Sequence, residues 1–141
     1  MNKALLVVLS ALLALSACAA SSRGDQPEAR DARDGLAISK NLGIDYADSR
    51  VSCNGRIMVI WGQTRERLPV GAPPYVEVYV VNMSDGQVLN KFTTTRGPFD
   101  VEFDEKINVI VIDDFLLNAK DGKILHTEIP SGLVLRPCTP K

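Results

Sequence analysis

The sequence predicts an all-β fold of about eight short antiparallel strands, grouped as two four-stranded units, with helix confined to a turn near Leu36 to Leu42. Three observations carry this. The stretch "NMSDGQVLNKF", beginning at Asn82, returns as "NAKDGKILHTE", beginning at Asn118, and the alignment matches Asn82 with Asn118, Asp85 with Asp121, Gly86 with Gly122 and Leu89 with Leu125. In each copy an apolar or alternating run, "YVEVYVVN" or "FLLNA", leads into the Asp-Gly turn, and a second run, "QVLNKFTT" or "KILHTEI", leads out of it. Asp-Gly favours a tight hairpin because Gly accepts positive φ, so each copy reads as strand, turn, strand. Finally, further strand-like runs precede each hairpin: "RIMVIWG" after the turn "CNG", then "FDVEF" and "INVIVID" around "DEK".

At the N-terminus, Lys3 is followed by an apolar run from Ala4 to Leu15 and the small residues Ser16 and Ala17 before Cys18. A charged start, a short apolar stretch and a small-residue site make a secretion signal, residues 1–17, outside the fold. The run is shorter than the roughly 20 residues of a membrane span. Residues 18–37 then mix both charges with Ser, Gly and Pro and lack apolar periodicity, which predicts a flexible tether. Residues 38–141 are left for a single β domain, with units at about 50–95 and 98–130.

The full chain of 141 residues carries 16 basic and 17 acidic side chains, a formal net charge of −1. Loss of Lys3 with the signal leaves it slightly more acidic. Nucleic-acid binding would require a basic face with interleaved aromatics, which the sequence lacks. Beyond Cys18 the thiols are Cys53 and Cys138. In an oxidising compartment pairing is their default, and closing a loop of about 85 residues stabilises by roughly 4 kcal/mol; a free pair is the alternative. Two Cys and one His are too few ligands for a structural metal site, and no cofactor is expected.

No nucleophile and base pair can be assembled around the single histidine, His126, which alternates with Leu125 and Thr127 and reads as a pH-sensitive surface group. The sequence is therefore not expected to encode an enzyme. Asp100, Glu102 and Asp104 alternate, share one strand face and read as solvated, because Ca²⁺ needs a curved loop supplying six to eight oxygens. Asp113 and Asp114 read as the tight connection between "VIVI" and "FLLNA". The longest insertion, Gly62 to Pro74, is the candidate partner-binding element, since long loops in a compact domain are often functional. Thr64, Arg65, Glu66 and Arg67 are its candidate contacts, with Trp61 before it as a candidate anchor; a passive surface loop with Trp61 in the core is the alternative.

Leu15, Ser16, Ala17 and Cys18 resemble the lipobox of bacterial lipoproteins, in which the Cys is acylated and begins the mature chain; ordinary cleavage near Ala20 is the alternative. With Ala19 rather than Asp next, the resemblance implies an outer-membrane anchor, with the chain facing the periplasm. The second unit, from "FDVEF" to "KILHTEI", is similar to a blade of quinoprotein or WD-like β-propellers, so that two blade-like units would pack as a sandwich-like domain. The signal, the small β domain, the closing "DGKILH" hairpin and the late Cys resemble periplasmic immunity proteins against type VI secretion peptidoglycan amidases. That resemblance implies an inhibitor whose loop blocks a secreted enzyme's cleft. The second unit offers only the short "DDF", Asp113 to Phe115, for such a loop, which leaves Gly62 to Pro74 for the task. The competing expectation is an envelope assembly lipoprotein that pairs through exposed strand edges.

Overall fold

The computed structural model describes residues 27–139. Helix α1 (Pro27–Leu42) leads into β1 (Ile44–Val51), β2 (Ile57–Thr64), β3 (Val76–Asn82) and β4 (Val88–Thr94), then β5 (Val101–Asp104), β6 (Val109–Ile112), β7 (Phe115–Asn118) and β8 (Ile124–His126). The strands form two antiparallel four-stranded sheets, ordered β1-β2-β3-β4 and β5-β6-β7-β8. The mostly-β architecture in two four-stranded units is thus as the sequence predicts, although the first unit begins at Ile44 and the closing strand spans only three residues.

The two Asp-Gly turns are copies down to single hydrogen bonds. The side-chain oxygen of Asn82 accepts the Ser84 N–H, and that of Asn118 accepts the Lys120 N–H. Likewise Asp85 accepts from Gln87 N–H and Asp121 from Lys123 N–H, while Gly86 and Gly122 donate to the carbonyls of Asn82 and Asn118, both at 2.8 Å. The glycines sit at φ 73° and 70°, in the left-handed region.

Register extends the correspondence through the sheets. Ile57 lies opposite Asn82, and Val109 opposite Asn118, so Ile57 of β2 corresponds to Val109 of β6. Ile57, Val59, Trp61, Val78 and Val80 of the first sheet pack against Phe103, Ile110, Ile112 and Leu117 of the second, forming the main core. Val109, Val111 and Leu116, the counterparts of Ile57, Val59 and Val80, lie instead on the second sheet's outer face, under Leu133 and Leu135. The sheets therefore stack facing the same way, so that the two faces that meet are non-equivalent faces of the repeat.

The first sheet's outer face, with Met58, Ile60, Tyr79 and Val81, is covered by Ile38 and Leu42 of α1. This helix, Pro27–Leu42, corrects the expected tether over residues 27–37 and the expected turn at 36–42, while the start of that tether, residues 18–26, lies outside the described residues. Its contact surface is small and polar, which is why no apolar period announced it. Ser49 Oγ donates to the Asp31 carbonyl at 3.1 Å, and a Cβ on Gly35 would lie 2.5 Å from Ser49 Oγ.

Since every hairpin reverses the chain, the domain has two ends. One, the turn end, gathers the tight turns 52–56, 83–87, 105–108 and 119–123. The other, the loop end, carries the long β2–β3 connection, the inter-sheet linker 95–100 and the Asp113–Asp114 turn. With about 3.3 Å per strand residue, the eight residues of β2 set the ends roughly 25 Å apart. The C-terminal segment runs from the loop end back to the turn end. There Arg136 N–H donates to Asp104 Oδ2, Cys138 N–H donates to the Phe103 carbonyl, and Cys138 is bonded to Cys53.

Candidate partner interface at the loop end

Strand β2 continues to Thr64, leaving residues 65–75 as the β2–β3 connection. Its base is braced. Arg65 donates its backbone N–H to the Gly43 carbonyl at 3.0 Å and its Nε to Asp45 Oδ1 at 2.8 Å, and the Glu66 N–H caps onto Thr64 Oγ1. A tight turn at the tip is closed by Ala72 N–H on the Pro69 carbonyl. Val70, at its crown, is fully exposed. Exposing a whole Val side chain forgoes about 1.5 kcal/mol or more of burial, and this crown is the most exposed large apolar residue of the domain. Arg67 beside it is exposed and forms no ion pair among the described residues.

The candidate contacts thus divide. Glu66 and Arg67 face solvent, Thr64 and Arg65 organise the loop's base, and Trp61 belongs to neither group. Trp61 is 7 % exposed and forms part of the main core, where Gly97 crosses its indole so closely that a Cβ there would meet Nε1 at 2.7 Å. Trp61 seats the inter-sheet linker rather than anchoring a contact. That linker presents Phe99, exposed, with the Arg96 guanidinium stacked 3.5 Å from its ring centroid. Asp113 holds it in place by accepting the N–H groups of Phe99 and Asp100 at 2.8 and 3.0 Å. Asp113 itself has φ 51°, as the tight β6–β7 connection demands.

No family model, curated protein or solved structure matches the chain. Its chemistry rests on its own geometry. The loop end offers an apolar crown, a second apolar side chain with a stacked cation, and the exposed Arg67, an arrangement suited to contacting another protein's surface. Val70, Phe99 and Arg96 escaped the sequence reading. The Pro-Val-Gly order at residues 69–71 does signal an apolar residue thrust out by a turn, whereas nothing local marks Phe99.

The remaining candidates lie elsewhere. His126 is exposed on β8. Asp100 and Glu102 line a shallow cleft of about 300 Å³ between β1 and β5, opposite Arg50 and above the disulfide. Asp104 does not share a solvated face with them. It is buried, accepts backbone N–H groups from Arg136 and Lys106, and the Arg136 bond holds its carboxyl below the usual aspartate range. The stability this contributes is present above the ordinary aspartate pKa and is lost as pH falls through the lowered one. Glu105 lies with Cys53 and Cys138 in a cluster of donor atoms within 4.8 Å, but both sulfurs are joined to each other and are not thiolate ligands. On β3, Glu77 binds Tyr79 OH and Lys91 Nζ, each at 2.8 Å, a cross-strand group whose buried carboxylate is fully paired. Cys18 lies outside the described residues, and no helix among those described is long and apolar enough to cross a membrane.

Proposed function

We propose that this protein is a lipid-anchored periplasmic binding protein, held at the outer membrane through Cys18, that engages one secreted or periplasm-acting protein through the Gly62–Pro74 loop. The observation that carries the reading is the braced loop with a bare crown: Arg65 and the closing hydrogen bond fix its shape, while Val70 and Arg67 are left to solvent. A loop ordered before binding loses less conformational entropy on association. The partner class follows from the resemblance to immunity proteins, namely a peptidoglycan-degrading effector whose cleft the loop enters. The role is non-catalytic.

Two measurements test this. Cys18→Ala is expected to abolish incorporation of labelled palmitate; wild-type protein recovered without lipid would overturn the anchor. The double change Arg67→Ala with Val70→Ala is expected to weaken binding to the effector by roughly 2–4 kcal/mol with no change in melting temperature. Arg65→Ala acts through loop position, and its exposed ion pair contributes below about 1 kcal/mol to stability. An affinity untouched by replacing the loop with a Gly-Ser linker would move the interface elsewhere. The strand edges are then the alternative, as expected of an envelope assembly factor: Ile124 and Leu125 on the edge strand β8 are both exposed, and an unpaired apolar edge is a template for an added strand.

A further inference from the structure

From the bonds that hold Cys53, Glu105 and Cys138 in place, we infer that the protein has a second, reduced state in which these three side chains bind one thiophilic divalent cation of the zinc class at the turn end. The donor atoms of the three lie within 4.8 Å of one another. In the disulfide form the sulfurs bind each other; once reduced, they supply two thiolates beside one carboxylate. Zinc holds thiolates at about 2.3 Å and carboxylate oxygens at about 2.0–2.2 Å, so ligands around one tetrahedral ion stand roughly 3.5–3.8 Å apart, inside the spacing already present. The Cα atoms of Cys53 and Cys138 are 6.1 Å apart, and side-chain rotation brings the sulfurs to that separation. Three protein ligands leave the fourth position open, the pattern of zinc sites that keep a place for water or substrate. The cleft of about 300 Å³ that Cys53 and Cys138 help to line gives that position access to solvent.

Each of the three donors is also positioned by bonds other than the disulfide. Cys53 sits in the 52–56 turn, which the buried Ser52 organises: its Oγ accepts the N–H groups of Arg56 and Ile57 and donates to Asn54 Oδ1, while Ser52 N–H and Gly55 N–H close the turn on the carbonyls of Ile57 and Ser52. Glu105, on the neighbouring β5–β6 turn, is drawn to the same place by the Asn54 N–H, which donates to its Oε1 at 2.7 Å and leaves Oε2 for a cation. Cys138 is placed by its own N–H on the Phe103 carbonyl and by the Arg136 N–H on Asp104. Reduction therefore frees two thiols without dispersing them. A small dithiol supplies the electrons. One of its sulfurs, as thiolate, attacks a cysteine sulfur through the cleft and displaces the other as thiolate; its second sulfur then displaces the first cysteine, so that the dithiol leaves as its own disulfide and two electrons stay with Cys53 and Cys138. Binding of the cation then releases the two thiol protons to solvent.

The cation site stands apart from the loop-end interface and needs neither the anchor nor the effector. For its test the processed full chain is reduced with a phosphine, freed of reductant without oxygen, and titrated with Co²⁺ as the probe, then with Zn²⁺ in competition. The reduced chain is expected to take up one Co²⁺ with a sulfur-to-cobalt charge-transfer band that Zn²⁺ removes, and the oxidised chain to show no band. Zn²⁺ at about a hundred times its dissociation constant is expected to raise the melting temperature of the reduced chain by about 10 °C, which capture by an unfolded pair of thiols would not do. Glu105→Gln keeps an oxygen for the Asn54 N–H and keeps the disulfide when oxidised; it is expected to weaken Co²⁺ binding about tenfold or more, since even partners that only orient a metal ligand act on that scale. Cys138→Ser is expected to abolish the band. A reduced chain without the band, an equal band in the oxidised chain, no rise in melting temperature with Zn²⁺, or a Glu105→Gln affinity equal to that of the wild type each overturns the inference. Failed palmitate labelling or effector binding, by contrast, strikes the proposed function alone.

Discussion

Replacing Cys53 and Cys138 together by Ala lowers the folding free energy by about 4 kcal/mol and the melting temperature by about 15 °C or more. The bond links positions 85 residues apart, and a closed loop of that length removes much of the freedom of the unfolded chain. It also fixes the C-terminal segment, which would otherwise be held to the domain by backbone bonds to Asp104 and Phe103 and by Leu133 and Leu135 over Val109, Val111 and Leu116. The loss should therefore appear in two ways. Chemical or thermal melting gives the size. Amide exchange gives the location, with protection falling first in residues 131–139 and on the outer side of β6 and β7. A double variant that melts within a few degrees of the wild type would show the packed segment to be self-sufficient.

The paired variants Gly122→Ala and Gly86→Ala should differ by about 2 kcal/mol although the two turns are copies. Both positions have positive φ, so an Ala at either costs about 1–2 kcal/mol in backbone strain. Gly86 faces open space. Gly122 does not: a Cβ there would lie 2.7 Å from the Leu89 Cβ and 3.0 Å from its backbone carbonyl carbon, beside the 2.7 Å bond from Asn90 Nδ2 to the Gly122 carbonyl. The second turn is thus a seam between the sheets, and any side chain on it pushes them apart. Urea unfolding of the two variants checks this; equal losses would mean that the seam relaxes freely.

What the sequence disclosed and what it hid have a common physical basis. Hairpins were legible because Asn, Asp and Gly act through bonds to their own turn, so Asn82 to Gly86 and Asn118 to Gly122 could be read without knowing the fold. The Cys53–Cys138 link was legible because the secretion signal expected at residues 1–17 implies an oxidising compartment, in which two thiols pair by default. Helix α1 was not, because Gly35 and Ser39 supply its contact face and only Ile38 and Leu42 supply its apolar part. Asp104 was misread as solvated because its partners are N–H groups of residues 106 and 136, invisible to strand alternation. Trp61 stood next to the loop in sequence, yet its alternation with Ile57 and Val59 puts it in the core. The loop was found from its length, but the bare crown at Val70 and the Arg96–Phe99 stack are products of geometry.

Because the sheets stack facing the same way, their contact is head-to-tail, and it leaves one unlike face of the repeat open on each side. Nothing in the repeat itself limits the number of sheets: the face under α1 corresponds to the buried face of the second sheet, and the face under the C-terminal segment corresponds to the buried face of the first. Heterologous contacts of this kind build filaments when left open, and repeat arrays require terminal elements that end the series. Here the helix and the disulfide-held C-terminal segment are those terminators. The same arithmetic gives the fold a route to growth, since a third sheet inserted between them would meet only surfaces that already fit, and a route to failure, since a chain that sheds both terminators exposes the two halves of one joint.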